Sequence, residues 1–180
     1  MIYLIAGHNT EGAIKDPGAV SNGLKEADLT KKVRDLVYDR IKQLSPKTFV
    51  SKDNDKDTLS KVISKIRPNI KDGDILIDFH YNAGGDSATG VECVVDDFAG
   101  KKSIEIAEKI CNIIHSITGL KNRGVKREKD TPRKQLGILG MRGSAVIVEM
   151  GFISNIKDVN VIDKYLHWIC EDISIMLLEY

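Results

Sequence analysis

Three short apolar runs in this chain each lead into a residue that can bind a metal or move a proton. IYLIA runs into Gly7-His8, ILIDF into His80, and AVIV into Glu149. Runs of this length rich in Ile and Val have the composition of buried parallel strands. Ligands of open parallel sheets sit just beyond the carboxyl ends of the strands. Three unlike, chemically capable side chains at three such ends point to one shared site.

Two imidazoles are a natural pair for zinc, which in catalytic sites takes three protein ligands and keeps one position open. A His, His, Glu set is a common combination, so a carboxylate is expected from a segment that folds back over the first strand. Glu26 and Asp28 both fit, in the first turn of a helix where acidic residues also favour the dipole. Spacing does not choose between them. Glu149 closes a run that should be central and buried on both faces, where a glutamate is costly without a partner or a task. Proton transfer to and from an activated water would be such a task; a buried salt bridge is the alternative. His115 and His167 fall inside helix patterns and are read as structural. Together these residues read as a zinc hydrolase with one Zn2+ per chain.

The surrounding pattern supplies the elements that must position them. Residues 7–23 form a long loop. Leu29, Val33, Leu36, Val37, Ile41 and Leu44 then recur at helical spacing from about Leu24 until Pro46. A short strand is expected at 48–50, and a second helix carries Leu59, Val62, Ile63 and Ile66 up to Pro68. Residues 83–90 read as a glycine-rich loop and 91–95 as a strand. Ile104 to Ile117 mark a third helix ending at Gly119. Residues 120–135 are basic and aperiodic and are expected to be an exposed loop. The closing helix carries Ile162 to Leu177. Alternating strands and helices predict a single α/β domain: a twisted, mostly parallel β-sheet flanked by helices on both faces.

Composition narrows the setting. The 180 residues, 42% hydrophobic and 29% charged, suit one soluble domain. A net charge of +1 gives no bias toward nucleic acid or an anionic membrane. No apolar run approaches the ~18 residues needed for membrane insertion as a spanning helix. Cys93, Cys111 and Cys170 lie in apolar segments and read as buried thiols. Met1 leads straight into the first strand without a basic or cleavable leader, so synthesis in the cytoplasm without a signal peptide is expected.

The strings AGHN, DPGAVSNGLKEADLT, DFHYNA and AVIVEMGFISN together resemble the zinc-dependent N-acetylmuramoyl-L-alanine amidases of the type-three family. The matches are Gly7-His8, Glu26, His80-Tyr81-Asn82-Ala83 and the long signature Val148-Glu149-Met150-Gly151-Phe152-Ile153-Ser154-Asn155. They extend over the whole chain, and the catalytic domains of bacteriophage endolysins look most similar. The resemblance implies that His8, Glu26 and His80 bind zinc and that Glu149 is the catalytic acid/base, which favours Glu26 over Asp28. It implies hydrolysis of the amide between N-acetylmuramic acid and the L-alanine of the stem peptide, with peptidoglycan as substrate. Arg123-Gly124-Val125-Lys126 also resembles a family segment, which implies that the basic stretch Lys121 to Lys134 lines the substrate groove, a solvated flexible surface being the alternative; Asn82, Arg123, Lys126 and Arg127 are the expected substrate contacts. The first loop departs from the family's Gly-His-Gly-Gly: here Asn9 and Thr10 follow His8, and Asn9 receives no role.

Residues 1–180 are therefore expected to be the catalytic domain alone, without a cell-wall-binding domain, such a domain belonging to a longer parent chain. The Lys, Ile and Asn richness suits an AT-rich Gram-positive host, clostridia among them. A phage enzyme would act on the wall after release from the cytoplasm; a bacterial autolysin would be extracellular. Competing expectations are a zinc carboxypeptidase or endopeptidase acting on stem peptides, and a non-catalytic wall-binding module.

Overall fold

The apolar runs form a six-stranded sheet in the order β4-β1-β5-β8-β6-β7 in the computed structural model, which describes residues 1–85 and 87–180. Asp86, inside the segment read as a glycine-rich loop, lies outside the described residues. β1 (Ile2–Ala6), β4 (Val50–Lys52), β5 (Ile75–Asn82) and β8 (Ser144–Phe152) run parallel. β6 (Val91–Val95) is antiparallel to β8, and β7 (Asn122–Arg127) is parallel to β6. The carboxyl ends of β1, β5 and β8 therefore share one sheet end with the amino ends of β6 and β7.

Alternate strand residues face two cores. On one face α1 (Glu26–Leu44), α3 (Lys101–Thr118) and α4 (Ile156–Leu178) cover Leu4, Ile77, Phe79, Cys93, Val146 and Val148. On the other, α2 (Leu59–Ile66) and residues 136–141 cover Tyr3, Ile5, Leu76, Val94 and Ile147. Helices thus flank both faces. The second cover is short and stops before the carboxyl ends of β5 and β8. Asp78, His80, Glu149 and Glu92 share its strand parity, so this uncovered strip is where chemistry can reach solvent.

Several boundaries differ from the sequence pattern, each for a physical reason. Leu24–Lys25 (β3) pairs with Val20–Ser21 (β2) in a small hairpin, so α1 starts at Glu26 rather than Leu24. The strand expected at 48–50 occupies Val50–Lys52, where β1 offers parallel partners. The expected loop at 120–135 contains β7 and a short 3-10 turn, Glu128–Asp130. β7 is an edge strand, partly exposed along its length, and charged residues on such an edge oppose further strand pairing while erasing the apolar alternation. All three cysteines are free and buried.

One buried charge cluster locks α1 to the site end of β1. Arg34 is 1% exposed and reaches Asp53 Oδ1 at 2.8 Å, Asp55 Oδ1 at 2.9 Å and Asp35 Oδ1 at 2.9 Å. Asp53 Oδ1 also accepts the Ala6 N–H at 3.0 Å, two residues before His8. Removing one partner of such a pair leaves an uncompensated buried charge. Arg34→Met is expected to cost about 3–5 kcal/mol in denaturant unfolding, and a loss below about 1 kcal/mol would contradict this anchoring role.

Candidate metal and catalytic site

The site is assembled by strand register. His80 on β5 pairs directly with Glu149 on β8, which pairs in turn with Glu92 on β6. A register shift between His80 and Asn82 lets β5 diverge at this end; such bulges commonly re-aim side chains beside active sites. His8 follows β1 in a left-handed conformation with φ of 69°. That backbone is rare for a residue with a side chain and clusters at functional sites. Gly7 beside it is required by space: a Cβ there would sit 2.3 Å from the His80 ring.

Glu26, the first residue of α1, joins the two imidazoles. Its Oε2 lies 3.2 Å from His8 Nε2 and its Oε1 2.9 Å from His80 Nδ1. The imidazole rings meet edge to face with centroids 5.1 Å apart. Each outer ring nitrogen has its own carboxylate: His8 Nδ1 is 2.9 Å from Asp16 Oδ2, and His80 Nε2 is 3.3 Å from Asp78 Oδ2. α1 is fixed in place by Thr30, whose hydroxyl donates to Gly7 O at 2.8 Å. Asp28, the rival carboxylate, is exposed.

Asn9 organises the loop that carries Asp16. It is 4% exposed, donates to Glu11 O and Ile14 O at 2.9 Å, and accepts the Asp16 N–H on its Oδ1 at 3.1 Å. Asn9 and Asp16 also exchange backbone hydrogen bonds. The departure from a glycine pair after His8 thus supplies the support for Asp16.

Charges here are strongly coupled. Burial alone raises the Glu26 pKa, but His8 and His80 override it and hold the carboxyl well below the ordinary range. Burial lowers both histidines, and their carboxylate partners reverse this, so His8 is raised and His80 raised well above 6.5. Glu149 behaves oppositely. Its Oε2 is buried with no hydrogen-bond partner among the described residues. Burial pushes its carboxyl up to about 7; His80 opposes the rise, and Glu26, Glu92 and Asp78 reinforce it.

Two imidazole nitrogens and one carboxylate oxygen lie within 4.8 Å of one another at His8, Glu26 and His80. This donor set suits a four-coordinate zinc with one open position. The carboxylates behind each histidine are the usual outer partners of metal-binding imidazoles. A half-buried glutamate, Glu149, stands on the next strand with its Oε2 buried and unsatisfied among the described residues.

A profile of the N-acetylmuramoyl-L-alanine amidase family matches residues 2–167. The chain belongs to that family. The amidase is 32% identical over 161 residues to YqiI of Bacillus subtilis (strain 168), described as uncharacterized, a match spanning 88% of this chain and 73% of the relative. In fold it is similar to the catalytic domain of the CD27L endolysin targeting Clostridia difficile, with a TM-score of 0.76 at 23% identity over 99% of this chain and 96% of that one. A putative amidase from Neisseria meningitidis gives 0.77 at 24% identity, over 99% and 94% of the two chains. The amidase is therefore a hydrolase of a family that cleaves between N-acetylmuramic acid and L-alanine in peptidoglycan.

The remaining residues expected at the substrate divide into two groups. Asn82 and Arg123 lie at the site end: Asn82 Nδ2 donates to Glu92 Oε1 at 2.9 Å and Arg123 Nε donates to Glu92 Oε2 at 2.6 Å. Lys126 and Arg127 do not. Because β7 runs antiparallel to β8, Lys126 sits level with Val94 and Ile147, and Arg127 reaches the far end, donating to Asp96 O at 2.9 Å. The basic run after β7 leaves the sheet at that far end, so the expected basic groove wall contracts to Arg123. His115 closes the end of α3 with Nδ1 2.7 Å from Leu120 O, and His167 is exposed on α4. Asp16, Asp78 and Glu92 were not singled out in the sequence. Asp78 and Glu92 were detectable as lone charges inside ILIDFH and VECVV.

Proposed function

We propose that this chain is a zinc-dependent peptidoglycan hydrolase that cleaves the amide between the lactyl group of N-acetylmuramic acid and the L-alanine of the stem peptide. His8, Glu26 and His80 hold the zinc and Glu149 is the general acid/base. The observation that carries this reading is Glu149 itself: a half-buried glutamate whose Oε2 is buried and unpartnered among the described residues, cross-strand from His80 in the three-donor cluster. A zinc bound there supplies water activation near neutral pH and polarisation of the amide carbonyl.

Glu149 then performs the proton transfers. As the water attacks, the carboxylate accepts its proton; as the C–N bond breaks, the carboxyl returns that proton to the departing alanine nitrogen. Asp16 and Asp78 fix the tautomers and ring planes of His8 and His80, so that one nitrogen of each faces the shared centre. Asp78→Asn is expected to weaken zinc binding about 10- to 100-fold in a chelator competition. An unchanged affinity would remove Asp78 from this role.

The same reading makes residues 1–180 the catalytic domain of a cell-wall lytic enzyme, in the manner of an endolysin acting on a Gram-positive wall after release from the cytoplasm. The CD27L endolysin catalytic domain has this fold, and so does the putative amidase from Neisseria meningitidis, so the fold fits this context without selecting it. Digestion of purified peptidoglycan tests the chemistry. New N-terminal alanine, lost on chelation and restored by zinc, is the expected outcome; a different new terminus would replace the amidase reading with a peptidase.

A further inference from the structure

Beyond Glu149, the row of side chains across the sheet continues into a second built feature. Glu92 lies cross-strand from Glu149 and has both oxygens committed, one to Asn82 and one to Arg123. Asn82 is itself pinned, its Oδ1 accepting the Ala83 N–H at 2.9 Å. The Arg123 guanidinium lies 5.2 Å from the centre of the Phe152 ring. Gly90 leaves the space its stem occupies: a Cβ there would meet Arg123 Cγ and Cδ at 3.1 Å and Lys121 O at 2.3 Å. The side chain is thus held by its Nε, by a ring face and by a gap made for its stem.

What this arrangement leaves unused is the other edge of the guanidinium. Neither Nη1 nor Nη2 of Arg123 donates a hydrogen bond among the described residues, and the side chain is 34% exposed. A planar fork fixed at Nε and open at its terminal nitrogens suits a carboxylate. Its position selects which one. β7 is two strands from β8, so the Arg123 backbone is about 10 Å from that of Glu149. A peptide leaving Glu149 in extended form advances about 3.3–3.6 Å per residue. For a stem peptide that runs from Glu149 across β6 toward β7, the reach of an arginine brings the fork to the second residue of the leaving group.

We propose that Arg123 is a specificity-determining residue that binds a free carboxylate on the second residue of the stem peptide. It thereby favours walls in which that group is a carboxylate over walls in which it is a carboxamide. Asn82 and Glu92 act as positioning residues for it. The proposal rests on the amidase reading above and fixes the direction of the substrate: the stem peptide crosses β8 toward β7.

The test uses zinc-loaded protein and two muropeptides with full stem peptides that differ only in a carboxylate or carboxamide at the second residue. The wild type is expected to show kcat/KM about 10- to 100-fold higher for the carboxylate form, mostly through KM. Arg123→Gln is expected to bring that ratio close to one, and Arg123→Lys to an intermediate value. Because Arg123→Gln strands the Glu92 charge, Arg123→Gln with Glu92→Gln serves as a second variant without an unpaired carboxylate. Equal cleavage of both substrates by the wild type would overturn the proposal while leaving the amidase reading intact. So would a preference that survives in the double variant. Cleavage of neither substrate would sink the amidase reading and this inference with it.

Discussion

Glu149→Gln is expected to lower amide hydrolysis by about 10²- to 10⁴-fold, the usual contribution of a positioned acid/base. Glutamine keeps the volume and cannot accept the proton, so the zinc content and the fold should be unchanged. The same substitution should stabilise the metal-free protein above neutral pH. The Glu149 pKa is about 7 in the folded chain, above its ordinary 4.5. Well below pH 4.5 the group is protonated in both states and costs nothing. Between about pH 4.5 and 7 the unfolded chain ionises this group while the folded chain keeps it protonated, so the folded state loses up to about 3 kcal/mol relative to a neutral side chain, a loss complete above about pH 7. Paired unfolding curves of wild type and variant at pH 4.5 and 8.5 should therefore nearly coincide at the lower pH and separate at the higher. A variant that hydrolyses wall at the wild-type rate, or is no more stable at pH 8.5, would contradict the role assigned to Glu149.

Removing the metal is expected to have a comparably large effect. Glu26, Asp16, Asp78 and Glu149 crowd two imidazoles, and without a cation the histidines can offset these charges only by taking protons. Zinc must displace those protons, so its affinity should fall as pH is lowered through the range where His8 and His80 protonate. That range is displaced upward from 6.5 for both. Chelated protein should lose cleavage to background and melt at a lower temperature than the zinc-loaded form, since a ligand bound only to the native state adds stability. Both properties should return with one equivalent of zinc in wild type and fail to return in His80→Ala. Full activity in exhaustively chelated protein would contradict the account.

The apolar strand runs were legible in sequence because β1, β5 and β8 are buried on both faces, leaving continuous Ile and Val rather than alternation. Their ends located His8, His80 and Glu149 for the same reason. β7 was not legible: an edge strand has one neighbour, and its charges follow from exposure. The choice of Glu26 over Asp28 could not come from spacing. It depends on where a helix start lands relative to β1, which Thr30 and the Arg34 cluster decide through contacts distant in sequence. Asp16 escaped because its link to His8 runs through a loop whose shape Asn9 sets. Lys126 and Arg127 looked like groove residues because a basic stretch carries no sign of strand direction, and the antiparallel turn of β6 sends its far half away from the site.

The measurement that bears most directly on the central claim is zinc-edge anomalous diffraction from crystals of the zinc-loaded protein. One anomalous peak per chain, ligated by His8, Glu26 and His80 with the Glu149 carboxyl nearby but outside the coordination shell, is the expected result. A peak elsewhere, no peak at all, or Glu149 taking a ligand position would contradict the assignment of three residues to the metal and one to the proton.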